Sequence, residues 1–116
     1  MPRSRAEFRV HVLSILGAQA LGQPVSAEDA ARVDAGAQAA FAFLDRADIY
    51  GNGAADYEAD SIEDAPFHAL ARYVANEIAP IYGAPSSPDA RFSAERDLRR
   101  IAAIEARRDP LAVDYF

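Results

Sequence analysis

The chain has 116 residues, of which 27 are alanine and none is cysteine, and its net charge is −6. This length suits one domain, and a chain so rich in the strongest helix former is expected to be helical with a thin core. Without cysteine, a disulfide framework, a thiolate zinc site and a cysteine nucleophile are excluded. The sequence contains no run of about 18 apolar residues, and its charged start does not resemble a signal peptide. We therefore expect no membrane span and a protein that folds in a cytoplasm.

Serine caps precede the first two predicted helices. Ser4 and Glu7 have the spacing of a capping box, and Gly17 ends the periodic stretch that follows. Ser26 begins the second helix, which we expect to run to about Ala47. The apolar stripes of these helices are Phe8, Val12, Ile15 and Leu16, and Val33, Ala37, Ala40, Phe41 and Leu44.

The third and fourth predicted helices are separated by a proline and a glycine. The third begins near Asp64, and Pro80 is expected to kink or end it, with Gly83 as its C-terminal cap. The fourth begins after Ser87 and ends before Asp109, which precedes a proline. Their apolar stripes are Phe67, Leu70, Ala71, Val74, Ile78 and Ile81, and Ala94, Leu98, Ile101 and Ile104.

These patterns predict an all-α fold, a small bundle of about four helices that forms a single domain over residues 1–108. Residues 48–63 connect the second helix to the third, and we expect a long loop there because Gly-Asn-Gly at 51–53 is a strong turn signal. Residues 109–116 are expected to form an extended C-terminal tail.

Charge is distributed unevenly along the chain, with an acidic segment around the long loop and a basic segment in the fourth helix. Such a pair suits a head-to-tail contact in which one surface meets a different surface of the next copy. Two alternatives for the arginines stay open: phosphate binding, and a solvated face with local pairs to Glu95, Asp97 and Glu105. The candidate interface residues are Arg96, Arg99, Arg100, Arg107 and Arg108 in the basic segment and Asp56, Glu58 and Asp60 in the acidic segment.

The tail is apolar and aromatic, unlike a solvated terminus. It could fold back onto the domain, or it could dock on a partner, since large rings dominate interface energetics. We expect docking, because the predicted helices already have complete stripes. The tail residues assigned to this contact are Leu111, Val113, Tyr115 and Phe116.

No pattern in the sequence indicates catalysis or a cofactor. His11 and His68 are the only histidines, and without His-Glu-x-x-His spacing we interpret both as ordinary helix residues. The alternating acids of 56–60 suggest a calcium loop, but Ser61 and Phe67 stand where such a loop needs glycine and glutamate. The serines lack a histidine–acid partner. We expect neither an enzyme nor a metal or cofactor site.

The segment from Leu70 to Gly83 reads Leu-Ala-x-x-x-Ala-x-x-Ile-Ala-Pro-x-Tyr-Gly, and a long loop precedes its helix. With the arginine-rich last helix, this order resembles the head-to-tail adaptor proteins of tailed bacteriophages, also called head-completion or tail accessory proteins, and of related prophage and gene-transfer particles. The likeness covers helical order along nearly the whole chain, and its specific residues are Ile78, Ala79, Pro80 and Tyr82.

The resemblance implies a structural virion protein without catalytic residues, located at the head–tail junction and in the host cytoplasm during assembly. Its implied partners are the portal protein, a tail or stopper (nozzle) protein, and further copies in a homo-oligomeric ring of about twelve subunits. DNA would pass through the ring without specific binding, and no membrane is involved. Members of this family commonly grip the portal with a C-terminal tail, which is short here because the chain ends at Phe116.

Two other hypotheses compete with the adaptor. One is a small helical regulatory protein that binds a single partner. The other is a DNA-packaging or DNA-binding protein that uses the arginine-rich fourth helix, although a net negative domain is a poor non-specific DNA binder. Size in solution with and without a portal ring tests the first hypothesis, and salt-dependent DNA binding tests the second.

Overall fold

Four α-helices build the computed structural model of this protein, which describes residues 3–17, 25–50, 57 and 60–108, the last three of these by their backbone alone. The helices are α1 (Arg5–Ile15), α2 (Ala27–Arg46), α3 (Asp64–Ile78) and α4 (Pro88–Arg108), and a 3-10 turn (Ala79–Tyr82) follows α3. The expected all-α bundle is confirmed. Within the described residues the nearest thing to a sheet is an isolated antiparallel bridge between Arg3 and Ile62.

The helices begin where their serine caps predict. The Ser4 hydroxyl oxygen accepts a hydrogen bond from the Glu7 backbone N–H at 3.2 Å, and the Glu7 carboxylate accepts from the Ser4 N–H at 3.1 Å. This reciprocal pair is the predicted capping box. Ser26 and Ser87 accept backbone hydrogen bonds in the same way at the starts of α2 and α4.

Helix α3 is central, because it packs against each of the other three helices. Nine of its fifteen residues are buried. Beside it, four aromatic rings from α1, α2, α3 and the α2–α3 connection meet edge to face with centroids 5.5–5.8 Å apart. The rings of this aromatic cluster are those of Phe8, Phe41, Tyr57 and Phe67.

The end of α3 follows the prediction for Pro80. The α-helix stops at Ile78, the chain continues as the 3-10 turn, and Gly83 closes it in the left-handed region with φ 82°. Tyr82 secures this end of the bundle by donating a hydrogen bond to Asp29 of α2 at 2.7 Å.

Three isoleucines that we assigned to apolar stripes are exposed, and a leucine outside them is buried. Ile15 is the last residue of α1 and is exposed, whereas Leu13 of the same helix is fully buried. Ile81 lies in the 3-10 turn, whose shorter period rotates its side chain outward. Ile104 is exposed because it lies to one side of the buried face of α4, which continues through Ile101 to Glu105, the acceptor of the Tyr50 hydroxyl.

The connection between α2 and α3 contributes more to the core than its turn-rich composition indicates. Its large apolar side chains are buried, and two of its tyrosines donate hydrogen bonds of 2.7 Å to carboxylates, Tyr50 to Glu105 and Tyr57 to Asp34. The buried residues of this connection are Ile49, Tyr50, Tyr57 and Ile62.

Candidate protein-interaction surface

Helix α4 is anchored to the bundle along one side. Ala94 and Leu98 are fully buried where α4 packs on α3. Polar contacts fix its start, since the Asn76 side chain donates to the Ser87 carbonyl oxygen at 3.1 Å and accepts from the Ser87 N–H at 2.8 Å. The ion pair of Arg72 with Asp97 adds a charged link further along the helix. These contacts hold α4 rigidly while leaving the rest of its circumference open.

The side of α4 turned away from α3 carries an aromatic residue among arginines. With 3.6 residues per turn, these residues lie opposite the buried side of the helix. Phe92 is 67% exposed, the most exposed large apolar side chain that the structure describes. An exposed aromatic ring next to arginines is typical of an interface hot spot. We call this surface the outer face of α4, and its exposed residues are Asp89, Phe92, Arg96, Arg99, Arg100 and Ala103.

The acids of α4 neutralise the outer face only in part, because Asp89 is the single acid exposed on that side and the other three acids have partners elsewhere. Glu95 pairs with Arg91 at 3.2 Å, and Glu105 accepts the Tyr50 hydroxyl. Asp97 serves Arg72 as well as Arg100, which it meets at 3.4 Å while the Arg100 side chain stays 70% exposed. Within the described residues, Arg96 and Arg99 form no ion pair. Among the candidate arginines whose side chains the structure describes, Arg100 is the one with a local acidic partner, and the outer face is positive.

Two other groups of candidate residues fall largely outside the described part of the chain. The backbone of α4 runs through Arg107 and Arg108, whose side chains are not among those described. The tail prediction for Leu111, Val113, Tyr115 and Phe116 lies wholly outside the described residues and stays a prediction, as does the interface role of Asp56 and Glu58.

Asp60, the one described member of the predicted acidic set, has an intramolecular partner. One of its carboxylate oxygens accepts a hydrogen bond from the Arg5 backbone N–H at 2.8 Å and lies 3.5 Å from the Arg5 guanidinium. That backbone hydrogen bond is the main cause of a lowered pKa for Asp60. A carboxylate at the start of α1 also suits the helix dipole. The structure thus gives Asp60 a role in holding the connection against α1.

Other acids at this end of the bundle are free to meet a partner. Asp45 and Asp48 at the end of α2 and Glu63 before α3 are exposed. None of them forms an ion pair with another residue in the part of the chain that the structure describes. Asp48 adopts a positive φ of 60°, which ends α2 abruptly and turns the chain toward the buried Ile49. These three residues are the described acidic surface.

Sequence reasoning missed Phe92 and the relation between the two histidines. Phe92 lies outside the Ala94–Leu98–Ile101 stripe, and a large aromatic residue off the stripe of an amphipathic helix was a usable signal. The histidines are 57 residues apart in sequence, yet His11 Nε2 lies 2.8 Å from His68 Nδ1. No local pattern announces that contact, because it depends on how α1 packs on α3.

Comparison of the chain with protein-family models, with curated proteins and with solved structures gives no match. In the described ranges, no helix is long and apolar enough to cross a membrane. The same ranges hold no group of three or more histidine, cysteine or acidic side chains placed to bind a metal ion. The outer face of α4 is thus the surface that the geometry singles out.

Proposed function

We propose that this protein is a structural virion subunit, a head-to-tail adaptor. It forms a ring beneath the portal of a tailed phage or related particle, extends the DNA channel and provides the attachment site for tail components. The observation that carries the proposal is the outer face of α4, where an exposed aromatic residue lies beside Arg96 and Arg99, which form no ion pair within the described residues, on a helix anchored to α3.

The charge pattern supports a ring contact between copies. A closed ring requires heterologous contacts, in which one surface of a subunit meets a different surface of the next. The outer face of α4 is positive, and the described acidic surface of Asp45, Asp48 and Glu63 is negative. Opposite charges on separate surfaces of one chain steer such a contact and fix its register.

The net charge of −6 supports the channel role. A subunit that lines a DNA channel must let phosphates slide past, and a negative wall repels them. Arginines that are engaged by the acidic surface of a neighbour would no longer be available to hold DNA.

The segment that carries the resemblance supports the proposal in a second way. Leu70 to Gly83 forms most of α3 and the 3-10 turn that leads to α4. This segment sets the direction of α4, because Asn76 of α3 holds Ser87 by two hydrogen bonds. In the proposed ring, the segment would place the outer face of α4 toward the neighbouring subunit.

The decisive experiment is electron microscopy of particles made in a host that lacks this protein. An adaptor's loss leaves filled or leaking heads without tails, and supplying the wild-type chain from a plasmid restores tailed particles. Intact tailed particles in its absence would refute the proposal.

Complementation with variants then tests the outer face. The double variant Arg99→Glu/Arg100→Glu and, separately, Phe92→Ala should fail to restore tails. Their free energies of unfolding should stay within about 0.5 kcal/mol of wild type, because substitutions at exposed positions rarely change it by more. The control for Phe92→Ala is Ile81→Ala, which shortens another exposed apolar side chain outside α4 and should restore tails. Full restoration by the arginine and phenylalanine variants would remove the outer face of α4 from the contact.

A second candidate function, DNA binding or packaging, is favoured by the same positive face. Binding that rests on these arginines would weaken steeply as salt rises, because phosphate contacts release counterions. A fluorescence titration with duplex DNA at 50 and 200 mM salt distinguishes the adaptor function from the DNA-binding function. We expect no binding at 200 mM, and tight binding that Arg99→Glu/Arg100→Glu abolishes would favour the DNA function.

A further inference from the structure

The two histidines of the chain face each other at the junction of α1 and α3. Besides the 2.8 Å between their nitrogens, their ring centroids are 5.1 Å apart, and the His11 ring also packs against Phe67 with centroids 5.4 Å apart. Each histidine is adjacent in sequence to a buried residue, His11 to Val12 and His68 to Phe67. The packed core therefore fixes both backbone positions, and the two nitrogens meet as a consequence of the fold.

We propose that His11 and His68 form a binding site for one divalent late transition-metal ion, of the class of Ni²⁺, Cu²⁺ and Zn²⁺, which bridges α1 to α3. Imidazole nitrogen is a good ligand for these ions, whereas Ca²⁺ and Mg²⁺ require oxygen ligands. In the free protein one facing nitrogen donates to the other. On metal binding the donor ring moves its proton to its other nitrogen, so that both facing nitrogens present lone pairs to the ion.

The distance between the nitrogens matches two adjacent positions around such an ion. With metal–nitrogen bonds of roughly 2.0–2.1 Å, two nitrogens at a right angle are about 2.9 Å apart, and two in a tetrahedron are about 3.3 Å apart. The observed 2.8 Å is nearer to the right-angled spacing of tetragonal and octahedral Ni²⁺ and Cu²⁺ sites than to the tetrahedral spacing of Zn²⁺. Because the two nitrogens point at each other in the hydrogen bond, the rings turn on binding so that both lone pairs meet an ion beside the line that joins them.

The surroundings leave room for the remaining ligands. A cavity of about 450 Å³ adjoins His11, and its lining includes Arg3, Glu7 and Ser14. Since no third histidine or acidic side chain completes a metal site in the described residues, water supplies the other positions. An ion held by two rings and water exchanges with solution, unlike a closed structural site.

The charges around the pair permit a cation. Arg3 is the nearby positive group, and Asp64 offsets it through a 3.0 Å ion pair. Glu7 adds a negative charge on the same side of α1, one turn before His11. Burial, with help from His68 and Arg3, lowers the pKa of His11, and this direction favours the unprotonated ring that metal binding requires.

The test is a titration of the untagged protein with NiCl₂ at pH 7.5, followed by calorimetry and by thermal unfolding. We expect one ion per chain and a melting temperature that rises with Ni²⁺ concentration, because a bridging ion binds the folded state in preference to the unfolded chain. MgCl₂ at the same concentrations should leave the melting temperature unchanged. Binding without any rise in melting temperature would show an adventitious ion on a single exposed imidazole and would overturn the proposal.

The sequence provides a clean background for the control variants, because it contains no cysteine and no other histidine. His68→Gln changes an exposed position and should keep the fold, which its melt without metal checks. We expect His68→Gln and His11→Gln each to weaken binding by roughly tenfold or more, the effect that loss of even a supporting group has. Wild-type affinity in His68→Gln would refute the bridge.

Electron paramagnetic resonance of the Cu²⁺ complex gives a readout that does not depend on stability. Two imidazole nitrogens should couple to the ion in wild type, and one in His68→Gln. A wild-type spectrum with a single coupled imidazole would also refute the bridge, even if the His11→Gln variant does not fold.

Discussion

The three-helix body of the molecule and its last helix use aromatic residues in opposite ways. In the body formed by α1, α2 and α3, the aromatic cluster of Phe8, Phe41, Tyr57 and Phe67 is buried edge to face. On α4 the one phenylalanine, Phe92, is 67% exposed. A ring of the same chemistry stabilises the fold in the body, and in α4 it is available to a partner.

The largest expected effect comes from replacing the buried phenylalanine of the body, with the exposed phenylalanine of α4 as its counterpart. Phe8→Ala should lower the free energy of unfolding by about 3–5 kcal/mol, because Phe8 is fully buried and contacts three rings of the aromatic cluster. Phe92→Ala is the matched control and should change it by less than about 0.5 kcal/mol. Urea unfolding of both variants measures the difference. Equal losses would mean that Phe92 is buried in solution.

A smaller effect is expected at the polar contact that joins α1, α2 and Tyr57. Asp34 accepts two hydrogen bonds of 2.8 Å from the Arg9 guanidinium and one of 2.7 Å from the Tyr57 hydroxyl. Asp34→Asn removes the charge that these donors share and should cost about 1–2 kcal/mol at pH 7, given that the pair is part-exposed. Asp45→Asn, at an exposed acid without an ion pair, is the control and should be neutral.

This contact also has a predictable pH dependence. Burial acts to raise the pKa of Asp34, but the hydrogen bonds from Arg9 and Tyr57 outweigh it and lower the pKa below its ordinary value of 3.8. Because its pKa is lower in the folded state, Asp34 binds a proton more readily in the unfolded chain than in the folded one. The stabilisation by the Asp34 carboxylate is therefore complete above about pH 4 and is lost as pH falls further. The gap in melting temperature between wild type and Asp34→Asn should therefore narrow below pH 4. A gap that stays constant down to pH 2 would contradict the shift.

A still smaller effect on stability is expected within the body, at the place where Gly36 lets α2 lie close to α3. A Cβ on Gly36 would lie 2.6 Å from Ile78 Cγ2, and Ile78 is buried. Gly36→Ala gains about 1 kcal/mol of helix propensity but forces an overpacked contact that costs about 1–3 kcal/mol. We expect a net loss near 1 kcal/mol in thermal unfolding. A more stable variant would show that the two helices separate easily.

The smallest effect is expected where the body joins α4. Pro80 is exposed in the 3-10 turn, and Gly83 provides the left-handed residue that closes it. Pro80→Ala restores a backbone N–H without disturbing a buried contact, so stability should change by less than about 0.5 kcal/mol. Amide exchange should still show α3 ending before Gly83. If α3 continued through Gly83 in Pro80→Ala, Pro80 alone would be the cause of the 3-10 turn.

The sequence specified the local parts of this structure well. Ser4, Ser26 and Ser87 mark helix starts because a cap acts within three residues, and Gly83 marks an end because few residues adopt its φ. The stripe of α2 is correct throughout, since all five of its predicted residues are buried. Periodicity works in the middle of a helix that has a neighbour along its whole length.

The sequence failed where the answer depends on a distant segment. Whether Ile104 is buried depends on which side of α4 the α2–α3 connection contacts, and whether Tyr57 is buried depends on its packing against α1 and α2. The contact of His11 with His68 likewise needs two helices to be docked. The arginines of the candidate surface could be found from composition. Which of them lack a local acidic partner could not, because that depends on the ion pair of Asp97 with Arg72 of α3.

The bridge between Arg3 and Ile62 has a consequence for how the chain folds. Each backbone donates to the other, at 2.7 and 2.8 Å, so the residue before the Ser4 cap of α1 is held by a residue some sixty positions later. Helices α3 and α4, by contrast, meet across a short turn and can pair soon after both exist. During synthesis α1 leaves the ribosome before the other three helices, and its contacts with α3 form only after α3 has followed. The rate at which this small bundle folds should therefore follow the docking of α1, a step dominated by contacts distant in sequence.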